Sequence, residues 1–248
     1  MKRILFSRRF GLNDAVTGGI KTMTRRIVDG TEQDRRDPRP EIITFDPETG
    51  RFECGRRADD GTGRILAKRT VTPRFKEDEV VAVAQSYQEI IESLDDDDAA
   101  DFRKRLKKLN IGTENEGWTN KMFVLPFLMP WRIQITKVRM ERLQDISESD
   151  CLREGIGQND MNPGRFVYSY TDNTKNIDPC FRTPREAFAH LIDAISGKGT
   201  WNSNPLAVAY EFTLRRSGEQ TYSLNRALGG GKNDTRQGDA ASTHVTTK

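Results

Sequence analysis

The sequence predicts a mainly β fold with peripheral helices (α+β), its short strands curled into a small barrel. Three observations carry this expectation. Apolar runs are short, separated by long polar inserts and interleaved with few helices, without the regular crossover helices that a doubly wound parallel sheet needs. Arg132 to Leu143 alternates through Ile133 and Ile135 and then changes phase to Val138 and Met140, which places a β-bulge near Thr136-Lys137, as where a sheet curls. Finally, Leu206, Val208, Tyr210, Phe212 and Leu214 alternate with Ala207, Ala209, Glu211 and Thr213, the pattern of a strand with one buried face.

The elements follow in order. Ile4-Leu5-Phe6 is a short strand, and Leu12, Ala15 and Val16 mark a brief helix stopped by Gly18-Gly19. Lys21 to Val28 is rich in β-branched residues and reads as extended. Residues 29–75 are rich in Asp, Arg, Gly and Pro. Within them Thr44-Phe45 and Arg51 to Cys54 flank a turn at residues 46–50, a hairpin excursion from the core. Glu79 to Gln85 is a continuous apolar run, expected of a strand covered on both faces. Tyr87 to Asn110 reads as a helix. Its run Asp95-Asp96-Asp97-Asp98 suits an acidic N-terminal cap region better than a metal site, and Arg103 to Lys108 balances it at the far end. Ser147-Glu148-Ser149-Asp150 is a capping-box pattern opening a short helix that ends at Gly155. Thr183-Pro184-Arg185-Glu186 opens another, with Phe188, Leu191, Ile192 and Ile195 as its buried stripe and Gly197 at its end. After Arg216 the apolar content collapses, so residues 217–248, with Gly229-Gly230-Gly231, are expected to be a disordered tail. The domain is therefore expected to span residues 1–216, with insertions at about 31–75 and 88–120.

Composition excludes several classes. In 248 residues, 40 Lys plus Arg oppose 37 Asp plus Glu, a net charge of +3. No apolar run approaches the ~18 residues of a membrane span, and no secretory leader is evident, so a cytoplasmic protein without a membrane partner is expected. Cys54, Cys151 and Cys180 are widely spaced, which argues against a disulfide framework or Cys-rich zinc site. With only His190 and His244 besides, no metal and no cofactor is expected. His190 reads as structural, and Cys151, without a partner His, as no nucleophile. The first 36 residues hold nine Lys/Arg against four acids, a local excess that attracts phosphates.

The most informative segment is Gly19-Ile20-Lys21-Thr22-Met23-Thr24-Arg25-Arg26. In an extended chain Thr22, Thr24 and Arg26 share one face, while Met23 and Arg25 share the other. Gly-x-Lys-x-x-Thr-x-Arg after a short helix resembles the signature of ASCH domains, β-barrel relatives of the PUA RNA-binding domains. The stretch from Leu143 to Ile156, ending in Glu154-Gly155, is similar to the family's strand-to-helix segment. Gly197 to Pro205 is similar to a variant among ASCH proteins of bacteriophages and prophages. The resemblance covers about residues 1–30, 77–87 and 121–215, and implies a PUA-like barrel with an RNA- or nucleotide-facing cleft.

Within that superfamily, bacterial N4-acetylcytidine amidohydrolases use a Lys, a Thr and a Glu. The resemblance maps these onto Lys21, Thr24 and Glu154, and the motif's Arg onto Arg26. The chemistry is coherent: a Thr hydroxyl needs a neighbouring base, and a Lys near cations such as Arg25 and Arg26 can serve as one. Glu154 would protonate the leaving nitrogen, and Arg26 would hold an oxygen of the ligand. The simpler reading is binding of RNA, a nucleotide or a nucleoside, with Lys21, Arg25 and Arg26 on phosphates, Thr22 and Thr24 adding hydroxyl contacts, and Glu154 a helix residue near Gly155 paired with one of those Arg. Trp118, Trp131, Tyr168 and Tyr170 are weaker stacking candidates, Trp131 reading better as core; Trp201, in a polar loop, is the best, with anchoring of that loop as an equal alternative. A third reading has the insertions bind a phage or host protein.

Overall fold

The computed structural model describes residues 1–28, 41–58, 60–159, 162–168 and 180–216. The expected tail, its Gly triplet, residues 29–40 and Tyr170 lie outside the described residues. In chain order the elements are β1 (Arg3–Ile4), α1 (Leu12–Thr17), β2 (Met23–Ile27), β3 (Glu41–Asp46), β4 (Arg51–Arg57), β5 (Ile65–Val71), β6 (Val80–Val83), α2 (Tyr87–Ser93) and α3 (Asp96–Lys108). There follow β7 (Trp131–Arg142), α4 (Glu148–Arg153), β8 (Gly157–Gln158), β9 (Phe166–Val167), α5 (Pro184–Ser196), α6 (Thr200–Ser203) and β10 (Leu206–Arg216). Sheet therefore dominates a mixed α+β architecture.

The main sheet has the order β1-β6-β7-β10-β2. Its spine is the long antiparallel pair β7–β10, running from Leu206 opposite Arg142 to Arg216 opposite Trp131. Pairing skips one residue: Glu211 faces Lys137 and Phe212 faces Ile135, which leaves Thr136 as the bulged residue. This is the bulge expected from the phase change, and through it Ile133, Ile135 and Met140 all reach the core. On β10 the expected single buried face is only half the picture. Ala207 and Ala209 are as buried as Val208 and Tyr210, because β10 lies inside the sheet and both of its faces are covered.

Among the described residues the main sheet is open: no ladder joins its edge strands β1 and β2, and closure into a barrel is not shown. Instead the Arg26 guanidinium on β2 donates from Nη2 to the Leu5 carbonyl, just past β1, at 2.6 Å. The sheet thus bends far enough for its two edges to meet through a side chain, leaving a seam between them.

Strand β6 separates two apolar clusters. Val81 and Val83 join the main core with Phe6, Ile133, Tyr210, Phe212 and α5's Phe188. Ala82 and Ala84 face a second cluster built by Tyr87, Ile90, Phe102 and Leu106 of α2 and α3. The run read as covered on both faces is so covered. The stretch Tyr87 to Asn110, read as one helix, is two, because Asp95 leaves the helical path and recaps the chain: its Oδ1 accepts from Asp98 N at 2.9 Å. Asp96, Asp97 and Asp98 fill the first turn of α3.

The hairpin read at residues 44–54 is β3–β4, and β5 adds a third strand that the surrounding Arg- and Gly-rich sequence concealed. Phe52 and Cys54 on β4 reach the main core. Helix α5 is capped by Thr183, whose Oγ1 accepts from Glu186 N at 3.1 Å, but its buried stripe stops at Ile192. Ile195 is 44% exposed and lines a cavity. Ser147 Oγ caps α4 by accepting from Asp150 N at 3.1 Å. The reciprocal half of the expected capping box is missing, because the Asp150 carboxylate serves Arg25 and Arg139 instead. Among the described residues no helix is long and apolar enough to cross a membrane.

Candidate active site

Two turns bring the motif and the distant Glu-Gly together. At the end of α1 the N–H groups of Ile20 and Lys21 both donate to Ala15 O, at 2.9 and 2.8 Å, and Gly19 takes φ +74° to permit it. This reversal delivers Lys21 to the head of β2. At the end of α4, Gly155 has φ +98°, a conformation that favours glycine, and its Cα side packs on Ala15 and Lys21. Thr22 N donates to Arg153 O at 2.9 Å, so the two chain reversals are tied directly.

As a result Lys21 Nζ donates to Glu154 twice, to Oε2 at 2.6 Å and to the backbone O at 2.5 Å. Both residues are buried, with 2% and 3% of their surface exposed. Arg25 approaches the same carboxylate, donating from Nη1 to Glu154 Oε1 at 3.1 Å. It also donates from Nε to Glu141 Oε1 at 2.7 Å and from Nη2 to Asp150 Oδ2 at 2.9 Å. Arg139 joins Glu141, Asp150 and Glu211, and Arg153 joins Glu211 at 2.9 Å. Lys21, Arg25, Arg139 and Arg153 thus interlock with Glu141, Asp150, Glu154 and Glu211, binding β2, β7, α4 and β10 into one charge network.

Burial pushes the Lys21 amine below its ordinary value of 10.5; Glu154 opposes this, while Arg26 and Arg25 add to it. For Arg25, burial works downward, yet Glu154 and Glu141 outweigh it and hold the guanidinium above its ordinary value. Burial raises the Cys151 thiol to about 12, which leaves it no thiolate for nucleophilic work.

A cavity of about 240 Å³ opens on this group. Lys21, Thr24, Arg25, Arg26 and Glu154 form its polar wall; Phe6, Leu12, Phe188 and Leu191 form its apolar one. Thr24 is buried, and no described residue hydrogen-bonds its hydroxyl, so Oγ1 is left for whatever enters.

The structure brings together five of the seven residues singled out from the sequence and separates two. Thr22 does not line the cavity. It sits where the chain leaves the α1 turn, ahead of β2, and its Oγ1 is 3.4 Å from Arg153 Nε. Trp201 lies elsewhere as well, its ring edge-on to Phe188 at 6.1 Å with the Arg185 guanidinium 5.1 Å over it. It anchors α6 to α5 and is not free to stack on a base. Lys21 and Arg25, expected on a basic surface, are buried against carboxylates. His190 takes the structural place expected of it, its Nδ1 3.1 Å from Tyr168 Oη.

The sequence reading missed Glu141, Asp150, Glu211, Arg139 and Arg153. A signal existed: Arg139, Glu141 and Glu211 are charges inside long strands, where an unpaired charge is costly. Among the described residues no group of His, Cys, Asp and Glu is arranged to hold a metal ion. No protein-family model, curated protein or solved structure matches this chain.

Proposed function

We propose that the chain is a PUA-like, ASCH-type hydrolase that cleaves the amide of an N4-acylated cytosine, with Thr24 as nucleophile, Lys21 as base and Glu154 as proton carrier. The observation that carries this reading is the 2.6 Å contact between Lys21 Nζ and Glu154 Oε2, beside an unengaged hydroxyl in a cavity with an apolar wall. Thr24 Oγ1 attacks the acyl carbon and its proton passes to Lys21 Nζ. The proton moves along the short contact to Glu154 and on to the departing N4 as the C–N bond breaks. Water then gives a proton to the same amine as its oxygen attacks the acyl carbon; the bond from that carbon to Oγ1 breaks, the proton returns to Thr24 Oγ1, and the carboxylic acid departs. The lowered Lys21 pKa favours the neutral amine that this sequence needs.

Binding without chemistry, with Lys21 and Arg25 on phosphates, requires both to leave carboxylates they already hold. Removing partners from buried charges is expensive, so hydrolysis is the reading this geometry supports better. Incubation of the purified protein with N4-acetylcytidine, followed by chromatography, tests it. Cytidine and acetate should form, and Thr24→Ala and Glu154→Gln should each slow the reaction at least ~10²-fold. Absence of cytidine, or full activity in both variants, overturns the proposal.

A further inference from the structure

The cavity beside Thr24 does not end at Arg26. A second cavity, of about 400 Å³, opens across the seam and shares Leu5, Arg26 and Ile27 with the first. Its remaining polar wall is Thr72, Arg74 and Tyr210, and it contains no Asp or Glu. Arg26 and Arg74 are brought side by side by the edge of the sheet. Arg26 donates to the Leu5 carbonyl at 2.6 Å, and Arg74 Nη2 lies 3.5 Å from the Arg3 carbonyl, two residues earlier. Each guanidinium also rests over a ring, Arg26 on Phe6 and Arg74 on Phe75, both at 5.5 Å.

These partners orient the two cations without neutralising them. Among the described residues neither pairs with a carboxylate, in contrast to Arg25, Arg139 and Arg153 of the charge network, each of which meets an acid. Like charges repel; Glu154, on the wall of the first cavity, offsets part of this at Arg26, but the second cavity's own wall has no acid to do so for the pair, and an anion bound there would return that free energy. Although protein atoms crowd around it, Arg26 keeps a surface open to the cavity. Tyr210 adds a hydroxyl that accepts from Arg74 N at 3.0 Å and retains its own proton to donate. Size points the same way. The smaller cavity alone lies under the ~300–1,000 Å³ typical of small-molecule sites, so a ligand larger than a base extends past Arg26.

We infer that the second cavity is a phosphate-ester subsite formed by Arg26, Arg74 and Tyr210, and that the ligand is a nucleoside monophosphate rather than a free nucleoside. In one respect this rests on the proposed hydrolysis: the base end of the ligand is placed beside Thr24.

Calorimetric titration of the full chain with cytidine, its 5′-monophosphate and its 3′-monophosphate tests the subsite without requiring turnover. One monophosphate should bind at least about tenfold tighter than cytidine at low salt. That advantage should vanish in Arg74→Gln, survive in part in Arg74→Lys, and shrink as salt is added. The Arg74 side chain is exposed and the Tyr210 contact uses its main chain, so both variants should fold, which circular dichroism verifies. Equal binding of all three ligands, no binding of any, or an advantage intact in Arg74→Gln overturns the inference. The two proposals fail separately. Hydrolysis of N4-acetylcytidine with no phosphate advantage removes the subsite alone, whereas Arg74-dependent nucleotide binding without hydrolysis removes only the chemistry.

Discussion

A buried ammonium loses hydration that one carboxylate does not restore in full, and Lys21 shows both sides of that balance. Glu154 favours its charged form, whereas burial and the neighbouring Arg26 and Arg25 favour the neutral one, and the second group prevails. Because the folded value lies below the ordinary 10.5, the unfolded chain binds the proton more tightly than the folded one between the two values. Stability from this group therefore rises with pH through that window. The proposed catalysis through the neutral amine would follow the same titration. With N4-acetylcytidine as substrate, kcat/KM should climb along a limb centred below 10.5. In Arg26→Gln a repelling cation is gone, Lys21 holds its proton more firmly, and the limb should move to higher pH. A limb that stays in place or moves downward removes Lys21 as the base. The pair also has a structural cost when broken: Glu154→Ala takes from Lys21 its carboxylate partner, while Arg25 keeps Glu141 and Asp150, and should destabilise the protein by about 3–5 kcal/mol. Glu154→Gln, which keeps an acceptor, should cost clearly less in urea unfolding.

Local signals made most elements readable, and non-local covering explains the exceptions. The bulge at Thr136 was visible because two apolar pairs sit at an odd spacing, Ile135 to Val138, and only an extra residue keeps both on one face. The cap at Thr183 and the reversal at Gly18-Gly19 were visible because they use turn chemistry. The full burial of Ala207 and Ala209 was not, since alanine alternating with larger residues reads equally as an exposed face. The break between α2 and α3 was also hidden, because an aspartate run inside a helical pattern shows a favourable first turn without showing which residue caps it. In the structure that residue is Asp95. Asp95→Ala should therefore cost about 0.5–2 kcal/mol in urea unfolding. Asp97→Ala, which loses only a favourable charge in the first turn, should cost about 0.3–1 kcal/mol at most. Equal losses would mean that the run acts through its summed charge and not through a cap.

At the scale of the whole molecule, the site exists because separate parts of the chain exchange charges. The motif at residues 19–26 and the Glu-Gly at 154–155 were each recognisable, but nothing in either segment states that Glu154 meets both Lys21 and Arg25. Nor does either foretell that Glu141, Asp150 and Glu211 complete the set, since the pairings of Lys21 and Arg25 span 116 to 133 residues and that of Arg153 with Glu211 spans 58, from a helix to a strand. The same network ties folding to acidity. Burial acts to raise the Glu211 carboxyl, but its bond to Arg153 and the charges of Arg153 and Arg139 prevail and hold it below the ordinary 4.5. A carboxylate with a depressed folded value stabilises the protein above its unfolded value and loses that contribution as pH falls through the folded one. The urea midpoint should therefore drop as pH is lowered beneath 4.5, because protonated Glu211 releases Arg139 and Arg153 and loosens β10 from β7 and α4. Glu211→Gln carries no titrating group there, so it should start less stable at neutral pH and show a shallower acid limb. If the two proteins lose stability in parallel, acid sensitivity arises elsewhere, and the interlocked charges position the residues of the cavity wall without holding the sheet to the helix.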